Sequence, residues 1–258
     1  MTDADTLRKL EENVRAVGRQ GREVERLATF ELFIAPGALD HLSYAVPLSP
    51  DPNDWAPHTE TLKEAFGKRG KRPRLEYFQE LHPHLAPALE QAGFVCEMRA
   101  PVMTLDRAAL PTAGFRAAGT YRRLRADDEP LLRHYLQRQS VAFGGADDET
   151  ALDWLPSLRS GLQQGTVMGA ALEREGKLLA GALIQIGAGA GELAGVWTDP
   201  QWRRQGLAYA VCLQLLAEYA EANDTLCWLS AAEGAQGLYE KLGFVSIGTQ
   251  LNYTVSDI

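Results

Sequence analysis

The clearest pattern along the chain is an apolar run with helical spacing. Leu207, Val211, Leu215 and Tyr219 recur at every fourth position, and a second row of small and apolar residues runs beside them. This spacing predicts a helix over residues 206–222 that is buried along a wide face.

Helix and strand signals alternate around this run. The stretch "YRRLRADDEPLLRHYLQRQ" predicts a strand, a cap at Asp127 or Asp128, and a helix with Pro130 in its first turn. A second helix is predicted from about Glu149 to Gln164. Further elements are predicted as two strands joined at Glu175-Gly176, a strand in "GELAGVWT", a strand in "TLCWLSA", a helix over 234–242 and a final strand in "GTQLNYTV".

Composition narrows the class of protein. The 258 residues, 45% of them hydrophobic, suffice for one large domain or two small ones. A net charge of -8 argues against nucleic-acid binding. The cysteines Cys96, Cys212 and Cys227 lack metal-ligand spacing and favour a cytoplasmic protein with reduced thiols. The N-terminal run is charged, which predicts no secretory leader, and no segment has the pattern of a membrane span.

An internal similarity predicts a tandem organisation. "LEQAGFV" at 89–95 matches "YEKLGFV" at 239–245, and each copy has the pattern of a helix, a glycine and a strand. Chance is the alternative, since such junctions are common. If the repeat is real, an Ala-, Gly- and Pro-rich linker near residue 110 separates domains 1–110 and 111–258.

The stretch "TDPQWRRQGLA" is the strongest candidate for chemistry. Gly206 and Ala208 allow close approach to the backbone where the buried helix begins. A helix N-terminus offers unpaired N–H groups and the positive end of the dipole, and Arg203 and Arg204 add cations beside it. These features indicate a pyrophosphate site; the alternative is a strand-to-helix turn with solvated arginines.

Two blocks of sequence resemble the GNAT superfamily of acyl-CoA-dependent N-acetyltransferases. The family pattern Pro-x-x-Arg-x-x-Gly-x-Gly/Ala falls on Pro200, Arg203, Gly206 and Ala208. The later pattern Ala-x-x-Leu-Tyr-x-Lys-x-Gly-Phe falls on Ala235, Leu238, Tyr239, Lys241, Gly243 and Phe244. The resemblance covers about Tyr121 to Val255. It departs from the family at Ala232, where many members have Asn, and at Arg204, where Gly is frequent.

The resemblance implies an α/β fold of two GNAT-like domains, each with a mixed, mostly antiparallel sheet flanked by helices. It also implies transfer of an acetyl group from acetyl-CoA to a primary amine on a small molecule or peptide. The residues expected to contact the cofactor are Val196, Trp197, Thr198, Arg203, Arg204, Gln205, Gly206, Leu207 and Ala208.

Two side chains are candidates for the proton transfers. Tyr239 lies on the short helix after the fifth strand and is expected to protonate the leaving thiolate. Glu192 lies where the family often places a base, although a solvated strand-end glutamate is the alternative. Asp147, Asp148 and Glu149 precede a helix and are expected to cap it, but they too could meet a cationic substrate.

The N-terminal copy is expected to be inactive, because it lacks the arginine–glycine turn and has Leu89 at the tyrosine position. His82 and His84 have no partner at metal-ligand spacing, so no metal is expected. A non-catalytic acyl-CoA sensor or scaffold is the alternative function. The chain is expected to be a monomer or a homodimer.

Overall fold

The computed structural model describes residues 2–36, 42–48, 51–112, 119–145, 149–223 and 225–255. The chain divides into two compact units. The first contains Met1–Val102, Ser230–Glu233 and Ser246–Ile258, and the second contains Met103–Leu229 and Gly234–Val245. The first unit therefore takes its C-terminal strand from the far end of the sequence, whereas the division of the two sequence copies near residue 110 stays a prediction.

The first unit combines helices with a mixed sheet. Its strands are ordered β1-β2-β3-β4-β11-β5, with β3 and β4 parallel and β11 antiparallel to β4. The elements are α1 (Asp3–Gly18), β1 (Glu23–Arg26), β2 (Phe30–Ile34), β3 (Tyr44–Pro47), α2 (Ala56–Gly67), β4 (Arg74–Phe78), α3 (Leu85–Gln91), β5 (Phe94–Leu105) and β11 (Phe244–Val255).

The larger core cluster of this unit joins its sheet to α2 and α3, and a smaller one packs Val14 of α1 against the sheet. Every residue of β2 is buried, as expected of a strand covered on both faces. Leu62 and Phe66, four residues apart on α2, are fully buried against the same cluster. Leu251 and Tyr253 alternate along β11 and join that cluster, so the C-terminal strand is a core strand.

The second unit holds a largely antiparallel sheet ordered β10-β9-β8-β7-β6. Successive strands from β6 to β9 are antiparallel, and β10 is parallel to β9. The elements are β6 (Thr120–Arg123), α4 (Glu129–Ala142), α5 (Leu155–Gln164), β7 (Val167–Arg174), β8 (Lys177–Gly187), β9 (Ala190–Thr198), α6 (Leu207–Ala222), β10 (Leu226–Ser230) and α7 (Gln236–Lys241).

Glycines bring helices close to both faces of this sheet. A Cβ at Gly181 of β8 would lie 2.4 Å from the ring of Tyr135 on α4. A Cβ at Gly191 of β9, which is paired opposite Ile186, would lie 2.6 Å from the ring of Tyr219 on α6. Residues 181 and 186 have opposite parity along β8, so α4 and α6 cover opposite faces.

Local signals in the sequence predict the second unit well. Asp128 caps α4 by accepting a hydrogen bond from the Leu131 N–H, and Pro130 lies in the first turn. Glu175 and Gly176 both have positive φ and join β7 to β8 as predicted. The predicted helix 149–164 begins instead as a 3₁₀ segment, Glu149–Trp154. The α-helix follows at α5, whose first turn holds Pro156, a residue suited to helix starts.

The internal sequence similarity corresponds to a local structural similarity. Gly93, with φ 81°, lies between the end of α3 and β5, and Gly243, with φ 94°, lies between the end of α7 and β11. Each copy also contains a parallel strand pair, β3–β4 in one and β9–β10 in the other.

In the described part of the chain, the helices are too short or too polar to cross a bilayer. The described histidine, cysteine, aspartate and glutamate side chains form no cluster suited to a metal ion.

Candidate functional site

The turn between β9 and α6 has an unusual backbone. Arg203 is extended, whereas Arg204 has φ 62° and Gly206 has φ 75°. A left-handed conformation is uncommon for a residue with a side chain and natural for glycine. Left-handed residues in a short turn change the direction of successive N–H groups, so that these groups can converge on one anion. The segment Arg203–Gly206 is called the anion turn below.

Helix α6 begins without a side-chain cap. Gly206 is its N-cap residue and has no side chain to accept from the first turn. The first intrahelical bond runs from the Ala210 N–H to the Gly206 carbonyl oxygen at 3.0 Å. The N-terminal N–H groups of the helix therefore need an external acceptor, and the helix dipole favours a negatively charged one.

The arginines of the anion turn differ in their contacts. The Arg203 guanidinium donates to the carbonyl oxygens of Thr198 at 3.4 Å and Ala142 at 3.2 Å, so it ties the turn to the end of α4. Arg204 is exposed, and its side chain forms no ion pair with any described residue. The Arg204 guanidinium is therefore available to pair with an anionic ligand in the turn.

Strands β9 and β10 pair only at their beginnings. The parallel pairing runs from Ala190 opposite Leu226 to Glu192 opposite Trp228. Strand β9 then continues to Thr198, and within the described residues no further pairing with β10 follows. The edge of β9 that includes Val196 and Thr198 therefore lies open beside the strand that pairs with its start.

A bulge interrupts β9 along this open edge. Gly181 of β8 is opposite Trp197, but Leu183 is opposite Ala194, so β9 holds one extra residue between them. Gly195 occupies this bulge with φ 57°. The sequence analysis missed Gly195, although a glycine inside a strand pattern is a recognised signal of a bulge.

Helix α4 supports the bulge and the turn. The Gln139 side-chain amide donates to the Gly195 carbonyl oxygen at 3.1 Å, and a Cβ at Gly195 would lie 2.6 Å from that amide nitrogen. Arg138 pairs with Asp199 at 2.5 Å just before the turn. Sequence patterns gave no sign of these contacts, since they join residues far apart in the chain.

Tyr239 is buried on α7, with 8% of its surface exposed. Its ring packs edge-on against Phe244 at 6.1 Å between centroids. Burial, and secondarily the nearby Cys212, raises the pKa of the Tyr239 hydroxyl well above its ordinary value. The hydroxyl forms no hydrogen bond with any other described residue, so at neutral pH it is a protonated and uncommitted donor.

Glu192 lies at the last paired position between β9 and β10. It is half-buried and directly opposite Gln185, which shares a face of the sheet with Gly181. Its carboxylate is therefore on the face covered by α4, next to the point where the two strands separate. Among the acidic alternatives, Asp147 and Asp148 lie outside the described residues, and Glu149 pairs with Arg133 at 3.1 Å.

The thiols of this unit are not reactive groups. Cys212 and Cys227 are buried, and burial raises the pKa of both thiols, that of Cys227 to about 12. A thiol that stays protonated is a poor nucleophile. Both cysteines serve as core residues.

His82 in the first unit has carboxylate partners. It is fully buried, with Glu11 at 2.8 Å from one ring nitrogen and Asp51 hydrogen-bonded to the other. Arg15 also pairs with Glu11 at 2.7 Å. This arrangement is a charge cluster that holds α1 against the unit.

Comparison with known proteins identifies the second unit. Residues 130–244 match the model of the Acetyltransferase (GNAT) family. The matched segment has the sequence pattern of a GNAT acetyltransferase domain, which supports an acyltransferase. It includes the anion turn, the bulge in β9 and Tyr239. No curated protein sequence matches the chain.

Solved structures with GNAT domains share the fold over nearly the whole chain. A GCN5-related N-acetyltransferase from Kribbella flavida is 21% identical with a TM-score of 0.76, covering 100% of this chain and 96% of its own. One from Sphaerobacter thermophilus is 17% identical with a TM-score of 0.65, again covering 100% and 96%. A tandem GNAT protein from the clavulanic acid biosynthesis pathway is 12% identical with a TM-score of 0.59, covering 100% and 98%. The predicted α/β fold, with a largely antiparallel sheet flanked by helices as in GNAT structures, is confirmed.

Proposed function

We propose that the protein transfers an acetyl group from acetyl-CoA to a primary amine of a small molecule or peptide, by direct transfer with both substrates bound. The observation that carries this proposal is the uncapped N-terminus of α6 beside the open edge of β9. Both features suit one extended ligand in which a diphosphate follows an amide-containing arm.

The cofactor is proposed to bind along two surfaces. Its diphosphate lies on the N–H groups of residues 204–208, with the uncommitted Arg204 guanidinium adding charge. Arg203 and Gln205 complete this turn. Its pantetheine arm runs beside Val196, Trp197 and Thr198, where β9 lacks a partner strand beyond Glu192. Because β10 does not fill this edge, main-chain groups of β9 are free to pair with the amides of the arm.

The reaction is proposed to proceed by attack of the neutral amine nitrogen on the thioester carbonyl carbon. The new C–N bond forms as the C–S bond breaks, and the CoA sulfur leaves with the bonding electron pair. Tyr239 donates its proton to that sulfur, a role suited to a hydroxyl whose raised pKa keeps it protonated. Glu192, directly or through a water molecule, accepts the proton that the amine loses.

Acetyl-CoA titration by calorimetry, together with a free-thiol assay over a panel of amines, tests this proposal. Saturable binding and amine-dependent release of CoA thiol are expected. Binding without thiol release for any amine would instead support a non-catalytic acyl-CoA sensor. Failure of acetyl-CoA to bind would overturn both functions.

A further inference from the structure

A second concave surface lies in the second unit, beside α4. It is a cleft of about 410 Å³ lined by residues of α4, the start of β8 and the segment 199–202. Gln139 of α4 contacts the bulge, whereas His134, Arg138 and Val141 of the same helix line the cleft. Neighbouring helix positions lie about 100° apart, so these three residues and Gln139 are on different faces of α4. The cleft continues into residues 199–202, which follow Thr198 at the end of β9.

The cleft combines an apolar floor with polar groups at its sides. Leu178, Leu179 and Val141 supply apolar lining, and Trp202 lines it with an indole ring. The Arg174 guanidinium lies over that ring at 4.0 Å from its centroid. A volume of this size suits a small organic molecule with a ring or a short apolar body.

The charges of the cleft favour an anion. Lys177 and His134 line it, and their side chains form no ion pair or hydrogen bond with any other residue in the described part of the chain. Arg138 lines it too, and its partner Asp199 is the acidic group of the lining. Lys177 and Arg138 carry two positive charges against one negative, in a chain whose net charge is -8. Cationic groups concentrated in a concave surface raise the local concentration of anions.

We propose that this cleft is a binding site for a small organic carboxylate with an apolar body. The carboxylate contacts the Lys177 ammonium and the His134 ring N–H, and the apolar body packs on Leu178, Leu179 and Trp202. Carboxylate and imidazole or ammonium groups form charge-assisted hydrogen bonds, and the leucines exclude water from the body of the ligand.

Benzoate is the probe, and binding to the full chain is measured by calorimetry and by ligand-detected NMR without acetyl-CoA. Saturable binding of benzoate and none of benzylamine are expected, since benzylamine has the same ring with a positive charge. Lys177→Gln is expected to weaken benzoate binding about three- to fivefold, the scale of a solvent-exposed charge pair. Lys68→Gln, which removes the same charge from an exposed site in the other unit, is expected to leave it unchanged.

Three results would overturn the site. The first is no binding of benzoate, and the second is equal binding of benzoate to Lys177→Gln. The third is binding of inorganic phosphate as tight as that of benzoate, which would leave the apolar floor without a role. Gly206→Val separates this site from the proposed cofactor site. Benzoate affinity that is retained in Gly206→Val supports a distinct cleft, and loss of benzoate binding there would place the probe in the anion turn and contradict the proposal.

Discussion

The side-chain amide of Gln139 donates a hydrogen bond of 3.1 Å to the carbonyl oxygen of Gly195. The donor is on α4, and the acceptor is the left-handed residue of the bulge in β9. A residue that no local pattern singled out thus fixes the irregular point of the strand that is proposed to hold the pantetheine arm.

Gln139→Leu is expected to raise the KM for acetyl-CoA about two- to tenfold, which corresponds to the net free energy of one hydrogen bond. The change in kcat is expected to be smaller. The bulge loses its only side-chain donor in the described residues, whereas Tyr239 is untouched. Steady-state kinetics with acetyl-CoA varied at saturating amine measure the effect.

Gln137→Leu is the control, because the Gln137 amide on the same helix bonds to no other described residue. Equal KM values for both variants would show that the loss comes from an altered helix surface and not from the bulge.

Gly206→Val is expected to weaken acetyl-CoA binding by about tenfold or more, since a β-branched side chain at φ 75° distorts the turn and covers its N–H groups. Calorimetric titration measures the affinity, and thermal unfolding checks that the variant still melts cooperatively.

Gly165→Val is the matched control, because Gly165 has φ 74° and ψ 14°, close to the 75° and 10° of Gly206. Both variants should lose about 1–2 kcal/mol of folding stability through the left-handed backbone. Only Gly206→Val should lose cofactor affinity, and undiminished affinity in that variant would remove the diphosphate from the anion turn.

Tyr239→Phe is expected to lower kcat about 10²- to 10⁴-fold, as is typical when a general acid is lost. The affinity for acetyl-CoA is expected to stay within about twofold of the wild type, because the cofactor is bound elsewhere. Because the pKa of Tyr239 is raised, its hydroxyl remains a donor throughout the neutral range, and the wild-type rate should not fall there through loss of this proton.

Tyr77→Phe serves as the comparison, since the buried Tyr77 hydroxyl has no hydrogen-bond partner among the described residues. Both variants should fold, and Tyr77→Phe should keep full activity. A Tyr239→Phe variant with wild-type kcat would assign the proton transfer to another group.

His82 is expected to make stability depend on pH. Burial lowers its pKa, but the hydrogen bonds and charges of Glu11 and Asp51 outweigh burial and raise the pKa above the ordinary value of about 6.5. A raised folded-state pKa means that the stabilisation is fully present below the unfolded pKa and is lost as pH rises through the folded pKa. The wild-type Tm should therefore fall across this interval.

His82→Gln isolates this contribution, because glutamine does not titrate. The buried cysteines also have raised pKa values, and the difference in Tm between the two proteins at each pH removes their effect. That difference should shrink as pH rises. The neighbouring groups are Glu11, Asp51, Arg15 and the edge-on ring of Tyr77. A difference that stays constant with pH would mean that the pKa of His82 is the same in the folded and the unfolded protein, and a difference that grows with pH would mean that folding lowers it.

Local sequence signals predict those parts of the fold that depend on neighbouring residues. The Asp128 cap, the Glu175-Gly176 turn and the glycines after α3 and α7 each follow from the backbone requirements of a short segment. The Gln139–Gly195 bond and the placement of β11 in the first unit join distant residues, and single-sequence periodicity contains no information on such pairings. The roles of Tyr239, Glu192 and the anion turn stay predictions.

The position of β11 in the sequence limits where the chain can be shortened without removing part of the core of the first unit. The first unit obtains the core residues Leu251 and Tyr253 from a strand that follows residues 130–244 in the chain. On the ribosome, that unit cannot complete its core until β11 has been synthesised. A recombination event or an expression plasmid that ends the chain at residue 110 would therefore leave the first unit without one of its core strands.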